Sequence, residues 1–258
     1  MHRTLKRLLP LAVVALVLGA FAGSASAVKY VALGDSYSSG TGTNSYTLSS
    51  SCLRSVYAYP YLVATARGDA LTFAACSGAT TTDVMNNQIS SVTSDTGIVT
   101  ITIGGNDVGF SNLIVSCTTL GCGSAIDSAT SQIQNTLPGK LNTVYSAIKS
   151  RAPSAKIIVL GYPRMFSSSS CWGTTGIDSS ERTRLNALAD LLDQTIAGRA
   201  AAYGLTYKSA IGAFTGHAVC SSSAWLNGLN IFNTTESYHP NRSGHSSGYA
   251  PLVRAVTG

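Results

Sequence analysis

Charge is scarce in this chain of 258 residues. Only 11% are Asp, Glu, Lys or Arg, against about 25% in an average soluble domain. The basic residues stand singly rather than in clusters, so there is no electrostatic footprint for a nucleic-acid partner. Histidine is scarcer still, with four in all. No C-x-x-C pair occurs and the histidines lie far from the cysteines, which argues against zinc or any other metal. Long apolar runs are limited to one, Leu8–Phe21, which is too short to span a bilayer. Heptads, internal repeats and low-complexity linkers are missing too.

That single apolar run follows the basic segment Met1–Arg7 and precedes small residues ending Ala25-Ser26-Ala27. This order reads as a secretory signal peptide over residues 1–27, and the expected protein is extracellular. Its removal leaves residues 28–258, with 14 Lys and Arg against 11 Asp and Glu, a net charge of +3. With 45% hydrophobic residues the remainder is too apolar to be disordered. Its length suits one domain rather than two. It is expected to be soluble, with no integral membrane association, and nothing calls for more than a monomer.

Six cysteines remain: Cys52, Cys76, Cys117, Cys122, Cys171 and Cys220. An even count in an exported chain predicts three disulfides. Spacing leaves the pairing open. Neighbour pairing, Cys52–Cys76, Cys117–Cys122 and Cys171–Cys220, keeps each loop local and is the expectation. Ser clusters beside several of these cysteines read as stapled surface loops.

Buried strands are expected at Lys29–Leu33, Leu71–Ala75, Ile98–Ile103 and Lys156–Leu160, with a weaker one at Leu205–Tyr207. Helical spacing appears between them. Ile126, Ala129, Ile133 and Leu137 share a face until Pro138-Gly139, and Leu141, Val144, Tyr145 and Ile148 resume it. The longest helix is expected to start at Asp178 or Ser179 as N-cap, to carry Leu185, Leu188, Leu192 and Ile196 inward, and to stop before Gly204. Alternating strands and helices predict a parallel sheet covered on both faces, an α/β/α sandwich. Its ligand crevice should lie beyond the carboxyl ends of the strands.

The residues at those ends are therefore the ones to read. The first strand runs into Gly34-Asp35-Ser36, where a hydroxyl two residues past a buried strand is placed as a nucleophile would be. Alone, the segment also reads as a plain turn. The second passes into Cys76-Ser77-Gly78, where Gly78 can offer an unshielded backbone N–H. The third runs into Gly104-Gly105-Asn106-Asp107, where Asn106 can aim an amide donor at the same crevice or close an Asx turn. A base is found by elimination among His217, His239 and His245. Only His239 has a carboxylate close in sequence, Glu236, and Pro240 holds it out of helical conformation. A His239/His245 metal pair lacks helical spacing and a third ligand.

Gly-Asp-Ser, a loop Gly, Gly-Gly-Asn-Asp and a late His-Pro, in this order, resemble the SGNH hydrolases, or GDSL esterase/lipase family. They are most similar to its small secreted actinobacterial lipases and phospholipases. The match runs over the whole expected mature chain and extends to the six cysteines. It implies a flavodoxin-like fold, a serine ester hydrolase without cofactor, and a small-molecule or lipid ester as substrate. Residue by residue it implies Ser36 as nucleophile and His239 as base, with the N–H of Ser36, the N–H of Gly78 and the Asn106 amide as oxyanion hole. Asp35 and Asp107 are read as braces for the loops. One departure stands out. The family's last block is usually Asp-x-x-His, whereas this chain has Glu236-Ser237-Tyr238-His239. Either Glu236 or the main-chain carbonyl of Ser237 would orient the imidazole, with the carbonyl favoured.

Tyr37, Tyr46, Leu48 and Phe110 are candidates for an acyl groove. The competing functions are an acetylxylan-type carbohydrate esterase, for which only Trp172 and Trp225 could flank a cleft, and a secreted binding module whose catalytic site has decayed.

Overall fold

The computed structural model describes residues 27–119 and 121–258. The expected signal peptide, Ala27 apart, lies outside them. In chain order the regular elements are β1 (Lys29–Gly34), α1 (Ser36–Ser39), α2 (Tyr59–Arg67), β2 (Ala70–Phe73), α3 (Thr81–Asp83, continuing as a wider turn through Gln88), β3 (Ile98–Thr102), α4 (Phe110–Thr119), α5 (Gly123–Asn135), α6 (Leu137–Arg151), β4 (Lys156–Leu160), α7 (Ser179–Ala202), β5 (Thr206–Lys208), α8 (Ala210–Ala213) and α9 (Ala250–Thr257). Among the described residues no helix is long and apolar enough to cross a membrane.

The five strands form one all-parallel sheet in the order β2-β1-β3-β4-β5. β1 and β3 are its most continuously buried strands, which is why both read as apolar runs. Helices α2 and α9 pack together on one face, and α5, α6 and α7 pack against one another on the other. The chain leaves β1 toward one edge to make β2, then crosses back to make β3 on its other side. That reversal opens a crevice at the carboxyl ends of β1 and β3.

Local chemistry explains where the elements start. Asp178 caps α7: its carboxylate accepts from the Glu181 N–H at 2.8 Å, and Glu181 accepts from the Asp178 N–H at 3.0 Å, a reciprocal capping box. Leu185, Leu188, Leu192 and Ile196 face the core from it. The helix break expected at Pro138-Gly139 falls earlier, at Thr136. Pro138 sits in the first turn of α6, where no N–H is required and its fixed φ favours a helix start. The second strand is shorter than its apolar run, because the Ala74 and Ala75 amides both converge on the Ala32 carbonyl at 2.9 Å and the ladder stops. The last strand is shifted one residue along, to Thr206–Lys208.

Three disulfides join Cys52 to Cys76, Cys117 to Cys122 and Cys171 to Cys220. Two of them close loops of 24 and 49 residues, and such a crosslink contributes about 2–4 kcal/mol. Reduction is expected to lower the melting temperature by about 10 °C at this chain size. Calorimetry with and without a thiol reductant checks this, and an unchanged melt would show that the crosslinks do not stabilise the fold.

Candidate active site

Ser36 is the first residue of α1, immediately past β1. Asp35 is its N-cap: one carboxylate oxygen accepts from the Tyr37 N–H at 2.9 Å, and the Asp35 N–H bonds the Thr102 carbonyl at 3.0 Å. The turn is thus pinned to β3. The Ser36 N–H, at the open start of a helix, has no acceptor among the described residues.

The other side of the site arrives 203 residues later. His239 Nε2 lies 2.8 Å from Ser36 Oγ, and His239 Nδ1 lies 2.9 Å from the Ser237 carbonyl. A carbonyl can only accept, so Nδ1 carries the proton and Nε2 is left as the acceptor for the serine hydroxyl. Burial pulls the imidazole down to about 4, with its carbonyl bond opposing the shift, so the neutral ring is the form present at neutral pH.

A tight backbone makes the Ser237–His239 contact. Tyr238, between them, has φ +61, a left-handed conformation that costs a bulky residue energy and must be held from outside. Three bonds hold it. Its N–H donates to the Asn227 carbonyl at 3.1 Å, its carbonyl accepts from the Tyr37 hydroxyl at 2.8 Å, and its hydroxyl donates to the Gly173 carbonyl at 3.2 Å. Tyr37 and Tyr238 are the chain neighbours of Ser36 and His239, so this bond ties the hydroxyl segment to the imidazole segment. Gly42 packs on the same loop, and a Cβ there would lie 2.4 Å from the Pro240 carbonyl oxygen and 2.8 Å from His239 Cβ.

Glu236 bonds the loop after α1. Its buried carboxylate accepts from the Asn44 N–H at 3.2 Å and from the Tyr46 hydroxyl. It latches the loop after α1 to the loop that bears His239.

Gly78 and Asn106 come from the ends of β2 and β3. Gly78 has φ +82 with open space where a side chain would project, and its N–H has no acceptor among the described residues. Asn106 Nδ2 donates to the Ala79 carbonyl at 2.9 Å, which leaves one amide hydrogen for the cavity. Asp107 joins the two loops, accepting from the Thr81 N–H at 2.8 Å, the Thr81 hydroxyl at 2.7 Å and Lys140 Nζ at 3.1 Å. Tyr162 makes the corresponding link between Asp35 and the Asn106 loop. Its hydroxyl donates to the Asp35 carboxylate and accepts from the Gly105 N–H at 3.0 Å. Burial raises the Asp35 carboxyl to about 7.

Ser36, Gly78, Asn106 and His239 line one end of a cavity of about 460 Å³. Much of its remaining wall is apolar, with Phe110, Ile114, Met165, Ala189, Leu192 and Leu229, and Ser77, Thr234 and Thr235 add hydroxyls. Of the groove candidates, Tyr37 and Phe110 line it. Tyr46 does not, being held by Glu236, and neither does the exposed Leu48. The apolar wall draws on α4, of which the sequence singles out only Phe110, and on α7, whose spacing reads as core packing. Tyr162 and Tyr238 carried no signal in the sequence at all.

The other two described histidines are occupied elsewhere. His217 stacks on Trp225 with ring centroids 3.6 Å apart, and its Nδ1 meets the Ser223 carbonyl at 2.7 Å. Buried His245 accepts from the Tyr59 N–H at 3.3 Å through Nδ1 and is kept neutral, its pKa lowered to about 3 by desolvation. Among the described residues no group of three or more His, Cys, Asp or Glu could hold a metal ion.

A serine hydroxyl on a neutral imidazole, beside unpaired N–H donors and an apolar channel, can carry out acyl transfer. Residues 32–246 match the GDSL-like Lipase/Acylhydrolase family. The chain belongs to that family. GDSL hydrolases cleave esters, and this chain is an ester hydrolase with the SGNH fold. It is 46% identical over 239 residues to Lipase 1 of Streptomyces coelicolor, covering 90% of this chain and 88% of that protein. The crystal structure of phospholipase A1 from Streptomyces albidoflavus superposes with TM-score 0.86 at 43% identity, over 90% of this chain and all of the other. That of the extracellular lipase from Streptomyces rimosus gives 0.85 at 44% identity, over 89% of this chain and all of the other.

Proposed function

We propose that residues 28–258 form a single secreted domain that hydrolyses lipid esters through a Ser36 acyl-enzyme. The relatives named lipase and phospholipase A1 support the substrate class, and the extracellular relative supports export. The observation that carries the mechanism is the 2.8 Å contact between Ser36 Oγ and His239 Nε2 at the end of an apolar cavity.

In the first half-reaction the hydroxyl proton passes to His239 Nε2 as Ser36 Oγ bonds the ester carbonyl carbon. The electron pair moves onto the carbonyl oxygen, which the Ser36 N–H, the Gly78 N–H and the free hydrogen of Asn106 Nδ2 receive. Collapse breaks the bond to the alcohol oxygen, which departs with the proton from Nε2. Water then adds to the acyl carbon, giving a proton to His239, and the acid leaves as that proton returns to Ser36. The Ser237 carbonyl stabilises the Nδ1–H throughout, and the acyl chain lies along Phe110, Ile114 and Leu192.

Two measurements test this. Turnover of p-nitrophenyl esters of increasing acyl length and of phosphatidylcholine should exceed acetate release from acetylated xylan. Acetate release alone would indicate a carbohydrate esterase, and no turnover would indicate a binding module. In the second, Glu236→Gln should leave kcat within about threefold of wild type, since the amide oxygen can still accept from the Asn44 N–H and the amide nitrogen can donate to the Tyr46 hydroxyl, while the Ser237 carbonyl holds His239. A loss beyond about 10³-fold would make Glu236 the third member after all.

A further inference from the structure

Beside the catalytic cavity the chain exposes large apolar side chains that nothing in the described structure covers. Phe232 is 94% exposed, Trp172 67% and Ile231 54%. All three line one shallow depression, and Leu229 belongs both to that depression and to the catalytic cavity. The two loops that supply them are bound together. The Leu229 N–H donates to the Gly173 carbonyl at 3.1 Å, and the Gly173 and Gly228 backbones pack so closely that a Cβ on Gly228 would lie 2.5 Å from Gly173 Cα. The Cys171–Cys220 disulfide anchors the residue next to Trp172.

Their exposure is built in. The Asn230 side-chain oxygen accepts from the Phe232 and Asn233 amides, both at 3.1 Å, which closes a turn with Phe232 at its tip. The Asn230 N–H donates to the Ser237 hydroxyl at 2.8 Å, so the tip is joined to the residue whose carbonyl holds His239.

The surroundings select the partner. Neither 165–177 nor 226–235 contains a charged residue, and the one carboxylate in the depression, Glu236, is buried and satisfied by Asn44 and Tyr46. An ion-pairing protein or a polyanion finds no handle here. Uncharged amides and hydroxyls around Trp, Ile and Phe match the boundary between head groups and acyl chains, where indole and phenyl rings partition favourably.

We propose that the Trp172, Ile231 and Phe232 rim seats the enzyme on a zwitterionic phospholipid surface and sets the cavity mouth at the depth of the ester groups. This rests on the lipid-ester reading above and adds the surface on which that reaction takes place.

The test uses vesicles of ether-linked phosphatidylcholine, which has no ester to cleave, so binding is read apart from catalysis. Wild-type protein should co-sediment with them, with little dependence on salt. Ile231→Asn combined with Phe232→Ser should lower the partition coefficient about tenfold or more, while turnover of the dissolved ester p-nitrophenyl butyrate stays at the wild-type level. Phe232→Ser alone, at a position with almost no packing to lose, should give part of the same loss and guards against misfolding of the double variant. Tryptophan emission should shift to the blue on vesicle addition. In Trp172→Phe the shift should vanish while binding persists. Equal partition of the double variant and wild type would overturn the proposal. So would binding confined to anionic phosphatidylglycerol vesicles and abolished by salt, or a wild-type dimer in ultracentrifugation that the double variant dissociates. A wild type that binds the ether vesicles yet hydrolyses no dissolved ester would support the rim and refute the hydrolase mechanism instead.

Discussion

Ser36→Ala is expected to lower ester turnover by about 10⁴- to 10⁶-fold, as removal of an acyl-transfer nucleophile does. Melting behaviour should stay close to that of wild type. The hydroxyl makes its one described side-chain bond to His239, whereas the turn that presents it is held by Asp35, through Tyr37 N–H and Thr102 O, and by Tyr162. None of those contacts passes through Ser36 Oγ. Residual hydrolysis should remain above the rate in buffer, because the donors at Gly78 and Asn106 survive the substitution. Turnover near the wild-type rate would place the nucleophile elsewhere and with it the whole reading of the cavity.

His239→Gln should be nearly as costly, with a loss of about 10⁴-fold or more, and it should also change the shape of the pH profile. In wild type the base must be neutral. Its pKa is pulled from 6.5 toward about 4 by burial, so kcat/KM should hold through mildly acidic pH and fall only well below 6.5. The residual activity of His239→Gln should lack that limb. Stability follows the same sign. The unfolded chain takes up the His239 proton near 6.5 and the folded chain does not until about 4, so this group's contribution is present above 6.5 and is lost as pH falls through that window. Buried His245, lowered to about 3, acts in the same direction. Asp35, raised to about 7, acts oppositely, its contribution being lost as pH rises from its unfolded value near 3.8 toward 7. A wild-type acid limb at or above 6.5 would contradict a desolvated base.

The sheet is legible in the sequence because β1 and β3 are buried on both faces and so read as unbroken apolar runs, and α7 because its capping box and inward leucines follow helical spacing. Pro138 misleads locally: the residue that interrupts a helix interior is also the one that suits a first turn, and only the break at Thr136 decides between them. Ser36, Gly78 and Asn106 are visible as candidates because they follow strand ends in a parallel sheet, where ligands bind. The orientation of Glu236 is not visible, since it depends on Asn44 and Tyr46, some 190 residues away in the chain. The same holds for Tyr37 and Tyr238, whose bond spans 201 residues, and for Tyr162, whose hydroxyl serves two loops at once. The apolar channel is hidden for another reason. Leu192 sits on a helix with core spacing, and nothing in a periodic pattern tells a residue facing a cavity from one facing a neighbour.

The central claim is that Ser36 Oγ becomes a nucleophile because His239 removes its proton. A fluorophosphonate probe followed by peptide mass spectrometry tests it most directly, since the phosphorus bonds only an activated oxygen and stays there. Wild-type protein should gain a single adduct, on the peptide containing Ser36, with parallel loss of ester turnover, and His239→Gln should label at least about a hundredfold more slowly. An adduct on any other residue, or equal labelling in His239→Gln, would contradict the account.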